Sequence, residues 1–211
     1  MTQSNISTFS KLSVFAVTIG LSSAFIGCAK YKPASLTKPV GAAEKKNDIN
    51  VSAQVLSDSE CKHYFSRSVG KKGYKVVQLH IKNKSNQDLV LDASTINMSV
   101  ENKDHVASRL HIDATPRVVG WVVCGLFILP FLIPFLIPAV VEAIQVSKVN
   151  KQLDRDFDSR VLDMNSKVAV NSESTLNMVF FVRKENIADT LEFSLKDSTT
   201  KTITKFSVII A

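Results

Sequence analysis

The sequence predicts a mainly β fold: an antiparallel sandwich interrupted by an apolar, proline-rich helical hairpin and an amphipathic helix. Three observations support this prediction. Short segments of alternating apolar and polar residues recur on both sides of residues 116–162. An uncharged run occupies residues 118–141 within that interval. The residues that follow it repeat an apolar side chain every four positions, which is typical of a helix packed on one side.

The composition excludes several classes of protein. The 211 residues carry 26 Lys and Arg against 19 Asp and Glu, a formal net charge of +7 that is spread along the chain. Hydrophobic residues make up 45% and charged residues 21%, which excludes a disordered, highly charged chain. Three Cys are too few for a disulfide-rich scaffold. Nucleic-acid binding is disfavoured, because no basic run carries the interleaved aromatic residues of a recognition surface.

The first 28 residues are organised like a secretory signal. A polar leader with one cation, Lys11, precedes an apolar stretch over residues 12–21, and the segment then ends at Cys28. The interval of about 16 residues between Lys11 and Cys28 is shorter than the roughly 20 that a membrane-spanning helix requires. The alternative is an uncleaved N-terminal anchor in which the Cys is incidental.

The segment Phe25-Ile26-Gly27-Cys28 resembles the lipobox of bacterial lipoproteins, in which a small residue precedes a Cys. This resemblance implies that residues 1–27 are a signal peptide and that Cys28 is acylated, for example with palmitate, and becomes the mature N-terminus. The residue after the Cys is Ala29 rather than Asp. If the resemblance extends to Gram-negative lipoproteins, this implies the outer membrane rather than the inner one.

Residues 28–48 are predicted to be the lipidated Cys and a basic tether, because they contain Pro33, Pro39 and Gly41 and show no apolar periodicity. Lysines are dense there: Lys30, Lys32, Lys38, Lys45 and Lys46. Each suitably placed cation would contribute about 1 kcal/mol at an anionic membrane surface. The alternative is a solvated, flexible linker that is basic by chance.

Residues 49–115 and 163–211 are predicted to be the two halves of one β-sandwich. Strands are expected in the first half at 51–56, 74–81, 89–91, 96–100 and 106–112, and in the second at 167–170, 176–182, 191–195 and 206–210. Each half alone would leave an apolar face open, so both halves are expected to share one core.

Residues 74–91 resemble the early strand pair of the Ig-like domains found in many bacterial lipoproteins. In both, an apolar strand runs through a turn containing Asn and Ser into a second, shorter strand. The resemblance covers about 20 residues and implies an Ig-like sandwich. The residues left after removal of the insert number roughly 120, close to the roughly 100 of an immunoglobulin-type sandwich.

Residues 116–162 are predicted to be an apolar hairpin followed by an amphipathic helix. A continuous helix over the uncharged residues 118–141 would be about 36 Å long and could cross a bilayer. Three prolines at a spacing of four argue against it, because each removes a helical hydrogen bond: Pro130, Pro134 and Pro138. The expected helix over 142–162 either packs along its own domain or docks a partner.

A single membrane crossing would place the two halves of the sandwich on opposite sides of the membrane. We therefore expect a re-entrant hairpin in which residues 118–129 enter one leaflet and the proline tract turns the chain back. The residues predicted to insert are Trp121, Pro130, Pro134 and Pro138, with Trp121 at the interface. Two alternatives remain: a hairpin packed on the sandwich without touching lipid, and a true single crossing.

No catalytic, cofactor or metal site is predicted. The chain lacks a Gly-x-Ser-x-Gly elbow, a phosphate-binding Gly loop and a His-Glu-x-x-His sequence. Its histidines are not at metal-ligand spacing: His63, His80, His105 and His111. Whether Cys61 and Cys124 form a disulfide in an oxidising compartment is left open.

These features together predict a non-enzymatic lipoprotein of the bacterial cell envelope with a structural or interaction role. Its predicted partners are membrane lipid, through acylation of Cys28 and through residues 118–141, and an envelope protein or a second copy of the chain. The second hypothesis is a subunit of a multi-protein secretion or transport assembly. An envelope hydrolase is the third and weakest.

Overall fold

The computed structural model describes residues 31–41, 43–127 and 132–210. The described residues form two compact units. Residues 112–151 belong to the first unit, whereas 31–111 and 152–210 belong to the second. The predicted signal peptide, Cys28 and Pro130 lie outside the described residues.

The second unit contains two antiparallel sheets of four strands each, with the strand orders β1-β2-β3-β6 and β5-β4-β7-β8. The strands are β1 (Ala43–Lys46), β2 (Ile49–Leu56), β3 (Tyr74–Asn83), β4 (Leu89–Asp92), β5 (Lys167–Val170), β6 (Thr175–Arg183), β7 (Thr190–Asp197) and β8 (Ile203–Ile209). With the helices described next, the fold is mixed α/β with substantial strand content.

Four α-helices accompany these strands within the described ranges: α1 (Asp58–Phe65), α2 (Lys103–Leu110), α3 (Thr115–Phe127) and α4 (Leu132–Arg160). Helices α1 and α2 belong to the second unit, and α3 belongs to the first. Helix α4 contributes residues 132–151 to the first unit and 152–160 to the second.

The main core lies between the two sheets and contains residues from both halves of the interrupted sandwich. Val51 and Leu79 come from the N-terminal half, whereas Phe180, Leu191 and Phe206 come from the C-terminal half, and all five are at most 1% exposed. The apolar face that each half would leave open alone is therefore buried against the other half.

A second apolar cluster covers the opposite face of the first sheet. Phe180 belongs to the core between the sheets, and its neighbour Phe181 belongs to the second cluster, because successive strand residues point to opposite faces. Phe157 of α4 stacks on Phe181 with ring centroids 5.2 Å apart, and Phe65 of α1 packs edge-on against Phe157. Helices thus add a third layer to the two sheets that were predicted.

The structure differs from the prediction of a strand over residues 106–112, because residues 106–110 belong to helix α2 and His111 is its C-terminal cap. The Asn102 side chain accepts hydrogen bonds from the amides of Asp104 and His105, at 2.9 and 3.0 Å, and so caps the start of this helix. The strand expected over 96–100 is also wrong: a short 3-10 helix, Ala93–Thr95, is followed by irregular backbone whose apolar side chains still enter the core.

Two further elements were not predicted. Helix α1 begins with a capping box, in which the Ser57 hydroxyl accepts from the Glu60 amide and the Glu60 carboxylate accepts from the Ser57 amide. Strand β1 lies within the segment expected to be a flexible tether, and its pairing with β2 makes it part of the first sheet.

The prolines break the apolar segment less than expected. Pro134 lies in the first turn of α4, where a helix has no use for the missing amide hydrogen. Pro138 lies inside α4, and the helix continues through it to Arg160. The proline tract was expected to turn the chain, and a helix was expected over 142–162; that helix instead begins at Leu132 and includes Pro134 and Pro138.

Candidate functional site

The apolar segment of the first unit forms two helices that run antiparallel. The backbone amide of Ile112 donates to Asn150 Oδ1 at 2.9 Å, and Asn150 Nδ2 donates to the Ile112 carbonyl at 3.1 Å. Arg117 Nη1 donates to Glu142 Oε1 at 2.8 Å. From the first contact to the second, the residue number rises from 112 to 117 on one side and falls from 150 to 142 on the other. The two helices therefore run antiparallel.

The ion pair between Arg117 and Glu142 marks the charged end of this hairpin. Glu142 is only 3% exposed, whereas the Arg117 side chain is 54% exposed. A buried carboxylate is costly unless a cation and hydrogen bonds compensate it, so the pair ties α3 to α4 at this level. Between these two residues the chain carries no charged side chain.

Both helices of the hairpin expose apolar side chains at helical spacing. On α3 the exposed residues recur at intervals of three and four: Val119, Val123 and Leu126. On α4 they are Leu136, Ile137, Val140, Val141 and Ile144. The exposed face of a helix in water is ordinarily polar, and contiguous apolar patches of this kind mark interaction sites. We call these eight residues the exposed apolar stripes.

The residues predicted to insert in a membrane are placed as follows. Trp121 is half-buried on α3, one turn beyond Arg117. Pro134 and Pro138 belong to α4, and Cys28 and Pro130 lie outside the described residues. Among the residues that the structure describes, no helix combines the length and apolar character needed to cross a membrane.

A second feature of interest is the segment over residues 31–41, which we call the N-terminal strap. It was predicted to be part of a basic tether, but it packs on the rest of the second unit, to which it belongs. Its residues Tyr31, Ala34 and Leu36 pack on the apolar cluster that the helices form with the first sheet. The amide of Ala34 donates to the carbonyl of His63, 3.3 Å away.

Three side-chain amides on neighbouring strands bind the backbone of this strap. Gln54 Nε2 donates to Gln78 Oε1 at 3.1 Å, and Gln78 Nε2 donates to Asn177 Oδ1 at 2.9 Å, so the amides form a ladder across β2, β3 and β6. Asn177 donates to the carbonyl of Leu36, and the amide of Val40 donates to Gln54. The Gln78 side chain also donates to the carbonyl of Thr37.

Arg160, in the last turn of α4, holds the first part of the strap. Its guanidinium donates to the carbonyls of Ala34 and Tyr64, each at 2.7 Å, and is paired with Asp156 one turn earlier. The Tyr31 hydroxyl donates to the same Asp156 carboxylate. Burial, and then this carboxylate, raise the pKa of Tyr31 well above its ordinary range, so the hydroxyl keeps its proton.

The cavity beside the strap offers few free polar groups. It has a volume of about 340 Å³ and is lined by Pro33, Ala34, Ser35, Leu36, Asp156, Arg160 and Asn177. Its charged and amide side chains, Asp156, Arg160 and Asn177, are already bonded to one another or to the strap backbone. This arrangement suits a clamp for the chain's own backbone.

Another cavity, of about 380 Å³, lies beside β7 and β8. Lys46 on its wall pairs with Glu44 at 2.6 Å and donates to the carbonyl of Lys205 at 2.9 Å. Glu44 in turn accepts from the amide of Ser207 at 2.6 Å. These contacts occupy backbone groups at the outer edge of β8, which would otherwise be free to pair with another strand.

The remaining candidate groups do not converge. His111 pairs with Asp154 at 2.7 Å, and His105 lies on α2, where it accepts from Arg109. Among the described residues no group of three or more His, Cys, Asp or Glu side chains could hold a metal ion. Cys61 is buried and Cys124 exposed, and both are free thiols.

The amide ladder was not recognised from the sequence, although one signal was present. Gln78 lies in the middle of an apolar strand and is completely buried. A buried amide needs partners for its donors and its acceptor, so such a residue indicates a contact with something polar. The sequence does not show that the partner is the backbone near residue 37.

No protein-family model matches the chain, and neither a curated protein nor a solved structure is similar to it.

Proposed function

We propose that this chain is a non-enzymatic lipoprotein of the bacterial cell envelope that is anchored through acylated Cys28 and inserts its apolar hairpin into one membrane leaflet. The observation that carries the proposal is the pair of exposed apolar stripes on α3 and α4, on a hairpin whose charged residues lie at one end. In water such stripes are unfavourable, and in the acyl region of a bilayer they are favourable.

The length of the hairpin supports insertion to about mid-bilayer. Residues 118–127 of α3 extend about 15 Å beyond Arg117 at the helical rise per residue. The hydrocarbon core of a bilayer is roughly 30 Å thick, so this length corresponds to one leaflet. The proposed placement has the Arg117–Glu142 pair among the headgroups, with the apolar tip below it.

The position of Trp121 supports the same placement. It follows Arg117 by one helical turn, about 6 Å along the axis. Indole rings are enriched at the boundary between headgroups and hydrocarbon, because one edge is polar and the rest apolar. In this proposal, Trp121 lies at that boundary, on the apolar side of the ion pair.

We also propose that the sandwich is Ig-like. Strand β3 pairs with β2 and β6, and β7 pairs with β4 and β8. Counted from β2, these are pairings of the first strand with the second, the second with the fifth, the third with the sixth and the sixth with the seventh. They correspond to the A–B, B–E, C–F and F–G pairings of Ig-type sandwiches.

Membrane retention without the lipid anchor tests the hairpin. A Cys28→Ala protein that carries a cleavable signal is extracted with alkaline carbonate and centrifuged. We expect the protein in the membrane pellet, because the hairpin holds it there. Release as a soluble, folded monomer would contradict insertion and leave a domain held by lipid alone.

A protein can also reach the pellet because it aggregates, so two matched double variants are compared. Leu126→Asp with Ile137→Asp places two charges on the exposed apolar stripes, both on the tip side of the Arg117–Glu142 pair. A charge there would cost up to about 2.5–3.5 kcal/mol, the value for the bilayer centre. Ile203→Asp with Ile209→Asp changes two comparably exposed isoleucines of β8, 59% and 62% exposed. Only the first pair should release the Cys28→Ala protein into the supernatant.

The lipid anchor is tested separately by mass spectrometry of the mature N-terminal peptide. Diacylglycerol and acyl modification should be found on Cys28, and Cys28→Ala should abolish it. An unmodified N-terminus, or an uncleaved signal, would contradict acylation while leaving the hairpin proposal intact.

The alternative of an assembly subunit predicts a different result for the same material. If the apolar stripes are covered by another envelope protein, mild detergent extraction yields a stoichiometric complex. The Leu126→Asp, Ile137→Asp pair then dissociates that complex without changing binding to protein-free liposomes. Recovery of a monomer that binds such liposomes through the stripes favours membrane insertion.

A further inference from the structure

We propose that the face of the second unit around Tyr31 and helix α1 lies directly on an anionic membrane surface, held there by the N-terminal strap. This inference rests on the proposed acylation of Cys28 and extends it, because a flexible tether would let the domain stand away from the membrane. The strap is bound to the domain instead, and the described contacts begin only three residues after Cys28.

The reach of the chain sets the first limit. Three residues in the most extended conformation span about 11 Å. A lipidated Cys28 at the headgroup level would therefore hold Tyr31 within about that distance of the surface. Because the strap is bound to the domain from Tyr31 to Val40, only the residues between Cys28 and Tyr31 are available as a linker to the lipid.

The contacts of Tyr31 identify which face is held near the lipid. The Tyr31 hydroxyl donates to Asp156. The guanidinium of Arg67 lies over the Tyr31 ring, with Arg67 Cζ 5.5 Å from the ring centroid. The amide of Lys32 donates to the hydroxyl of Ser66, which is the C-terminal cap of α1. The end of α1 therefore lies beside the point where the chain leads toward Cys28.

The side chains around that point are predominantly basic. The exposed cations on the strap, α1 and the following turn are Lys32, Lys38, Lys62, Lys71 and Lys72, and Arg67 is half-buried. The acidic residues nearby are fewer. Asp156, beside Tyr31, is paired with Arg160, while Asp58 and Glu60 lie in the first turn of α1, where Asp58 is next to Gly70. The surface next to the anchor thus carries more positive than negative charge.

An anionic lipid surface is the occupant that both observations favour. The short reach to Cys28 places lipid headgroups near this face whatever else is present. Lysine ammonium groups on exposed side chains interact well with phosphate-bearing headgroups, and the attraction decays within a Debye length, about 10 Å at 0.1 M salt. A soluble protein partner would have to compete with the membrane for the same face.

Energy transfer from the domain to the membrane tests this orientation. The lipidated full chain, in a Cys124→Ser background, is reconstituted in phosphatidylcholine vesicles with or without phosphatidylglycerol and a headgroup-labelled acceptor lipid. A donor dye is attached at Lys72→Cys, next to α1, or at Lys196→Cys as the matched control. Lys196 is exposed on β7 beside the core residue Leu195, and because successive strand residues point to opposite faces it points away from the first sheet.

We expect several-fold stronger transfer from position 72 than from position 196, and a further increase with phosphatidylglycerol that high salt removes. Lys62→Glu with Lys71→Glu should abolish the response to phosphatidylglycerol. Gln78→Met with Asn177→Ala, which loosens the strap, should reduce transfer from position 72 while the protein still floats with the vesicles.

Flotation separates the two ways in which the idea can fail. Equal, weak transfer from both positions in protein that floats would overturn the orientation and leave the lipid anchor standing. Protein that does not float with neutral vesicles would overturn both the anchor and the orientation that depends on it.

Discussion

The guanidinium of Arg160 donates a hydrogen bond of 2.7 Å to the main-chain carbonyl of Ala34, 126 residues earlier in the sequence. The same side chain bonds to the carbonyl of Tyr64 and lies over the ring of Phe65 at 5.1 Å. One residue thus connects the end of α4, the end of α1 and the N-terminal strap. Each of these three segments depends on the others for its position.

Replacing Arg160 by Ala should destabilise the second unit by about 3 kcal/mol, because it leaves the Asp156 carboxylate, 17% exposed, without its cation. Urea denaturation followed by circular dichroism measures the change. Arg155→Ala on the same helix is the control, since Arg155 is exposed, and it should stay within about 0.5 kcal/mol of the parent. Equal losses of stability in the two variants would contradict the role of Arg160 in holding the strap and α1.

Exchanging Gly41 for Ala should disturb the end of the strap. A Cβ at this position would approach the carbonyl oxygen of Ala53 to 2.5 Å, so the strap or β2 must shift. We expect a loss of about 1–3 kcal/mol in the free energy of unfolding. Gly120→Ala is the matched control: a Cβ there meets nothing within 4 Å, and alanine should favour helix α3 by up to about 1 kcal/mol.

The two described cysteines should differ sharply in reactivity. Burial, followed by the nearby Asp58 and Glu60 carboxylates, raises the pKa of Cys61 to about 12, so its thiol stays protonated at neutral pH. Cys124 is exposed. In the Cys28→Ala protein, a thiol reagent should therefore modify Cys124 rapidly and Cys61 only after denaturation. Rapid modification of Cys61 in the folded protein would contradict this arrangement.

The free energy of unfolding should decrease at acidic pH because of Asp197, in the turn between β7 and β8. The amides of Thr200 and Thr199 donate to Asp197 at 2.9 and 2.7 Å and lower the pKa of its carboxyl group. Because the folded state then binds the proton less readily than the unfolded state, the stabilisation is present above the ordinary Asp pKa and is lost as pH falls through the lowered value.

Asp197→Asn keeps an acceptor for both amides but removes the charge. The decrease in stability between pH 7 and pH 3, measured by urea denaturation, should be smaller in this variant than in the parent. Asp189→Asn, at an exposed carboxylate, is the control and should leave the decrease unchanged. A full decrease in Asp197→Asn would show that other groups cause the acid sensitivity.

Strands were predictable where one face is buried and the other exposed. Strand β5 occupies residues 167–170 as predicted, and β7 alternates between core and surface along its length. Period-two alternation is a local property, so it can be recognised in one sequence. The alternation of Ile96, Met98 and Val100 was misleading, because side chains of irregular backbone can enter a core with the same spacing.

The layer of helices on the outer face of the first sheet was harder to predict from the sequence. Residues 178–182 of β6 are buried continuously, and such a run indicates a strand covered on both faces. It does not say what covers the second face. The capping box at Ser57 and the Asn102 cap are local signals for α1 and α2, and both could have been recognised from spacing.

The sequence by itself determined the strand-rich class, the two halves of the sandwich and the uncharged segment between Arg117 and Glu142. Each depends on the periodicity or the composition of neighbouring residues. Only the tertiary structure decided that the strap is bound and that Pro138 lies within a helix. The strap has no apolar period of its own: its partners Gln78, Asn177 and Arg160 lie far away in the chain, and only the folded sheet brings their donors to its carbonyl groups.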